Sequence, residues 1–91
     1  MAALFPLGRL VATPGAMELI RSADENLLPA LLERHWSGDW GDVSAEGARE
    51  NEVSIRYGFR VLSSYRVAER RIWVITEADR SATVFLLPEE Y

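Results

Sequence analysis

The last third of the chain constrains the fold most. Between Phe59 and Leu87 apolar and polar residues alternate in three runs, 59–67, 71–77 and 82–88, separated by short polar turns at Val67–Arg70 and Ala78–Ser81. Period-two alternation broken by tight turns predicts an antiparallel three-stranded meander. Pairing Val67 with Arg70 fixes the first hairpin, and pairing Glu77 with Ala82 fixes the second. Residues directly opposite each other share a face of the sheet. One face then collects Phe59, Val61, Tyr65, Ile72, Val74, Phe85 and Leu87, the expected core. The other collects Leu62, Ser64, Trp73, Ile75, Val84 and Leu86, rimmed by Arg60, Arg66, Arg71 and Glu77, with Arg60 opposite Glu77.

A solvated sheet face reads polar, and this second face does not. It must be covered, either by helices of the same chain or by a second chain. A small domain has few helices to divide between two faces. A Trp with an Arg rim is also the composition of a protein interface. The sequence therefore predicts a docking surface built from Leu62, Trp73, Ile75, Val84 and Leu86 with Arg60, Arg66 and Arg71. Its partner would be a second copy, giving a homodimer, or another protein.

The first half reads as one strand and three short helices. Residues 7–13 suit a strand. Thr13-Pro14 is a helix start, with Thr13 as cap and Pro14 at the first helical position, and this helix should end near Ser22. A second helix begins at Asn26, carries Leu27, Leu28, Leu31, Leu32 and Trp36 on one stripe, and stops at Gly38. Gly38-Asp39-Trp40-Gly41-Asp42 is a turn-rich loop. Residues 45–57 carry two signals. Val53, Ile55 and Tyr57 alternate like a strand, whereas Ser44 can cap, Glu46 suits a helix start and Gly58 suits a helix end. Helix is assigned to 45–57. The expected architecture is α+β in a single domain, 1–91: an N-terminal strand, three short helices and a C-terminal three-stranded antiparallel meander.

Ninety-one residues at 48% hydrophobic and 26% charged make a folded domain. Such a chain buries about 63% of its unfolded surface. All ten cations are Arg, and with fourteen acids the net charge is −4. An acidic domain argues against direct nucleic-acid binding. Arg without Lys fits interface use, because the guanidinium forks and stacks; GC-rich coding gives the same bias with no functional content. The absence of Cys excludes disulfides, thiolate metal sites and Cys nucleophiles. No apolar run reaches the ~18 residues of a membrane span, and the N-terminus lacks a signal peptide's basic start. The expected location is the cytoplasm, with no membrane association.

The candidate ligand loop is His35, Asp39, Trp40 and Asp42, with Asn51 nearby and Glu77, Asp79 and Arg80 in the last turn. A His among carboxylates suits a metal or a general base. The competing structural roles are a core-edge His35, Asx turns at Asp39 and Asp42, a charged turn tip at Asp79 and Arg80, and core closure by Trp36 and Trp40. No spacing matches a known metal, phosphate or dinucleotide motif, and no serine sits in a nucleophile setting. The sequence thus names no catalytic residue, metal ligand or cofactor, and an enzyme is the less favoured reading.

Arg34-His35-Trp36-Ser37-Gly38-Asp39-Trp40-Gly41-Asp42, Glu50-Asn51-Glu52, the run from Trp73 to Thr83 and Leu86-Leu87-Pro88-Glu89-Glu90-Tyr91 resemble a family of small bacterial proteins carried on plasmids and integrated elements. The resemblance spans Pro6 to Tyr91 and is most distinctive in the final thirty residues. Members often bear the labels "plasmid-related protein" or "type I restriction endonuclease subunit M". The second label does not suit this chain. It has no glycine-rich cofactor loop after a strand, no Asn-Pro-Pro-aromatic motif and too few residues for a methyltransferase. The resemblance implies a context of mobile DNA and defence or counter-defence genes, and carries over no functional residues. The expectation is a non-enzymatic interaction factor of a mobile element, such as an anti-defence inhibitor or a plasmid accessory protein. The alternative is a small metal- or ligand-binding domain using the His35–Asp42 loop.

Overall fold

A computed structural model describes residues 3–91. Strand β1 (Arg9–Ala12) is followed by helices α1 (Pro14–Ala23), α2 (Leu27–Trp36) and α3 (Ala45–Tyr57). Strands β2 (Val61–Val67), β3 (Arg70–Thr76) and β4 (Ala82–Leu86) come next, and a 3₁₀ turn, Pro88–Glu90, closes the chain. The expected α+β class holds. The sheet, however, is not a pure antiparallel meander. Its order is β1-β4-β3-β2, and β1 pairs parallel to β4, so the sheet is mixed. The Arg9 N–H donates to Ser81 O and the Thr13 N–H to Phe85 O, fixing β1 in register.

Local chemistry explains most boundaries. The Thr13 hydroxyl accepts from the Ala16 N–H at 3.2 Å and Pro14 opens α1. Ser44 accepts from the Gly47 N–H at 3.0 Å to start α3, and Gly58, at φ 79°, ends it with its N–H on Ser54 O. Asn26 precedes α2 but its side chain caps nothing; Asp24 Oδ1 instead accepts the Asn26 N–H at 2.8 Å. In the β2–β3 hairpin Ala68 and Glu69 both have positive φ, 49° and 65°. Two such residues make the turn whose twist suits a two-residue hairpin loop. The predicted pairings hold in both hairpins: Val67 faces Arg70, and Trp73 faces Leu86.

Helices α1 and α2 cover one face. Ala16, Leu19, Ile20, Leu31 and Leu32 pack on Tyr65, Val67, Ile72, Val74, Phe85 and Leu87. Phe5, Trp40 and Val61 form a second cluster, backed by Leu7, Val43, Ala48 and Ile55. Phe59 departs from the expected core face and is 56% exposed. The reason is local: its N–H donates to Ser54 O, so Phe59 still belongs to the end of α3, and β2 begins two residues later.

Helix α3 stands beyond the β2 edge, and that edge is closed. The Asn51 amide donates to Leu62 O at 2.8 Å and accepts the Leu62 N–H at 3.0 Å, occupying the place of a neighbouring strand. Two residues on, the Ser64 N–H donates to Trp40 O and Ser64 O accepts from the Asp42 N–H. Between them Gly41, at φ 72°, lies so close that any Cβ would collide with the Ser64 carbonyl.

Candidate interaction groove

Of the predicted loop residues, His35 is the most deeply placed. It is fully buried on α2, edge-on to Phe5 at 5.3 Å and to Trp40 at 6.1 Å between ring centres. Nδ1 lies 2.6 Å from Ser63 Oγ and Nε2 lies 3.0 Å from Thr76 Oγ1. Thr76 Oγ1 is 2.7 Å from Thr83 Oγ1, and the Thr83 hydroxyl reaches the Leu7 carbonyl at 2.7 Å. A carbonyl can only accept, so the direction of the chain follows. Thr83 donates to Leu7, Thr76 donates to Thr83, His35 Nε2–H donates to Thr76, and Ser63 donates to Nδ1. His35 is therefore the neutral Nε2–H tautomer. Burial lowers its pKa to about 4, in keeping with that state.

Sequence reasoning missed Ser63, Thr76 and Thr83, although a signal was present. The meander register puts all three hydroxyls on the core face, Thr76 opposite Thr83 and Ser63 opposite Val74. Hydroxyls in a core line need a polar partner, and the single His on the apolar stripe of α2 is the available one.

Trp40 packs against His35, whereas Asp39 and Asp42 engage arginines instead. Asp39 grips Arg34 with both oxygens, at 2.7 and 3.2 Å, and that guanidinium holds its carboxyl below the usual range. Arg34 stacks over the Tyr65 ring at 4.5 Å, and the Tyr65 hydroxyl donates to Asp39 O at 2.6 Å. Burial pushes the Tyr65 phenol up to about 12. Asp42 pairs with Arg71 at 3.3 Å, and Trp40 is buried. In the last turn Asp79 Oδ1 accepts the Ser81 N–H at 3.0 Å. The Arg80 guanidinium donates to Ser54 O at 2.9 Å and Phe59 O at 2.7 Å, a cation closing the carbonyl end of α3. Glu77 meets Arg60 at 3.8 Å, the cross-strand pair the register predicted. Among the described residues, no three His, Asp or Glu side chains gather as a metal site.

The sheet's second face is only half closed. Ile75 and Leu86 are buried within the chain, whereas Leu62, Trp73 and Val84 keep partial exposure. Tyr91 folds back edge-on to Trp73 at 5.6 Å, and its hydroxyl accepts from Arg60. Between this cover and α3 runs an open groove of about 1050 Å³. Leu62 and Trp73 form its floor and Val53 and Phe59 one wall, while Arg49, Arg60 and Arg71 reach its edges together with the acids Asp42, Glu46 and Glu50. Beside it Arg66 stands directly opposite Arg71 across the β2–β3 pair. Asp42 engages Arg71, but Arg66 has no ion-pair partner among the described residues. Like charges in opposed positions destabilise a sheet.

The chain matches no protein-family model, no curated protein and no solved structure. The site's geometry therefore carries the functional argument.

Proposed function

We propose that this protein is a non-enzymatic docking factor whose groove between α3 and the second sheet face takes a segment of another protein, apolar in its middle and acidic at the end that meets Arg66 and Arg71. The observation that carries the reading is a half-exposed Trp73 on the groove floor beside the opposed Arg66 and Arg71. An aromatic anchor with arginines at its rim is the composition of binding hot spots. The cross-strand arginine pair costs the free protein stability, and an acidic partner would relieve it. The resemblance to plasmid and integrated-element proteins supplies the setting: a mobile-element protein acting as an anti-defence inhibitor or a plasmid accessory factor.

Selection of displayed random peptides on the purified chain tests this. Enriched sequences should combine aliphatic residues with Asp or Glu at one end. Their binding should fall at least about tenfold with Val53→Arg, which lies on the exposed groove wall, and with Arg66→Glu. Peptides that bind both variants as well as wild type, or no enrichment at all, would remove the groove as the docking site.

A further inference from the structure

The two edges of the sheet are finished differently. The β2 edge is plugged by Asn51 and by the Trp40–Asp42 backbone, as described above. Among the described residues none pairs with the β1 edge. Arg9 and Thr13 direct their N–H groups to β4, so by alternation the backbone groups of Leu10 and Ala12 point away from the sheet. None of the described residues outside the strand bonds to them. The strand also exposes two large aliphatic side chains, Leu10 at 47% and Val11 at 41%. Unpaired backbone with exposed aliphatics is a template for another strand.

We infer that the β1 edge pairs with β1 of a second copy, joining two four-stranded sheets into one continuous sheet about a two-fold axis. The strand is complementary to itself in one register. With Val11 on the axis, Leu10 of each copy faces Ala12 of the other, and both carry outward backbone groups. They form hydrogen-bonded pairs on either side of the central Val11–Val11 pair, four bonds in all by the antiparallel pattern.

Two further features fit that register. Ala12 and Leu10 share the helix-covered face, where a shallow groove of about 320 Å³ lies beside Ala12, lined by Met17, Leu28 and Phe85. The second copy's Leu10 arrives beside that groove. On the opposite face Arg9, which has no ion-pair partner among the described residues, comes opposite Thr13 of the other copy. The Thr13 hydroxyl is bonded to the exposed Glu90 carboxylate, so a cation meets an anion at each end of the pairing. A second copy satisfies the hydrogen bonds, the groove and the charges together. The pairing leaves the α3 groove, at the far edge of the sheet, free on each copy.

A four-residue strand and one groove make a small interface, so the association should be weak and concentration-dependent. Sedimentation of wild type across a concentration series should show the mass rising from one chain to two. Val11→Lys places two like charges on the axis and should hold the protein at one chain, with an unchanged circular dichroism spectrum and melting curve. Residues opposite each other in a non-hydrogen-bonded pair have Cα atoms about 4.5 Å apart, within disulfide range. In this cysteine-free chain Val11→Cys should therefore cross-link to itself on mild oxidation, about tenfold faster than Leu10→Cys or the groove-wall variant Val53→Cys. The inference fails if wild type stays at one chain up to roughly millimolar concentration. It fails equally if Val11→Lys still dimerises, or if the three cysteine variants cross-link at the same rate.

Discussion

The two faces of the sheet divide the molecule's work. On the face under α1 and α2 the strands β2, β3 and β4 bury their large apolar side chains, and His35, Ser63, Thr76 and Thr83 form a single directed chain that ends on the Leu7 carbonyl. The other face buries Ile75 and Leu86 but leaves Trp73, Leu62 and Val84 partly open beside a groove. Burial in water-free packing sets stability, while partial exposure of large apolar groups marks where a partner adds what folding left uncovered. The difference teaches that apolar residues on both faces of a strand do not imply equal cover. Two helices close one face, whereas a C-terminal tyrosine and one side of α3 half-close the other.

The sharpest contrast is between neighbours in β4. Phe85 is 1% exposed on the closed face and Val84 is half-buried on the other. Phe85→Ala should cost about 3–5 kcal/mol, and Val84→Ala less than about 1 kcal/mol, by urea unfolding. Equal losses would erase the distinction between the faces.

The next largest effect is pH. The folded-state pKa of His35, about 4, lies below its ordinary 6.5, so the unfolded chain binds the proton more tightly. Stability is whole above 6.5 and falls as pH drops through 6.5 towards 4, by about 3 kcal/mol over the full window. The shifted carboxyls behave differently. The Arg34 guanidinium holds Asp39, and the Thr13 hydroxyl holds Glu90, below the usual carboxylate range, so they lose their contribution only at lower pH. His35→Gln, neutral throughout, should flatten the stability curve between pH 6.5 and 4; an unchanged slope would assign the loss elsewhere.

Gly41→Ala comes third. It combines a left-handed backbone with a Cβ driven into the Ser64 carbonyl, and should cost on the order of 2 kcal/mol at the β2 edge. Loss of the Trp40–Ser64 bonds would appear as faster amide exchange at Ser64 than in the neighbouring strand β3.

The smallest effect is a gain. Ala68 and Glu69 occupy left-handed conformations that Asn and Gly adopt more readily, so the double change Ala68→Asn, Glu69→Gly should stabilise by about 1 kcal/mol in the melting curve. It touches neither face, and the groove should bind as before.

The candidate site was legible in part. The register placed Leu62, Trp73, Ile75, Val84 and Leu86 on one face because hairpins with short turns fix pairing locally. The same arithmetic could not say how much of that face folding would cover, since Tyr91 and α3 reach it from distant positions. The register already put Ser63, Thr76 and Thr83 on the core face, but their meeting with His35 was hidden by separation: Ser63 is 28 residues away and Thr76 is 41.

What the sequence determined by itself is therefore local. The Thr13-Pro14 start of α1, the Ser44 and Gly58 ends of α3 and the registers of both hairpins follow from capping and turn chemistry acting over a few residues. Only the tertiary structure decided that β1 runs parallel beside β4 and that Asn51 and the Trp40 loop plug one sheet edge while none of the described residues pairs with the other. These join segments far apart in the chain. Each is chosen by which arrangement buries the most apolar area while leaving the fewest buried polar groups unpaired, a balance set by the whole packed molecule.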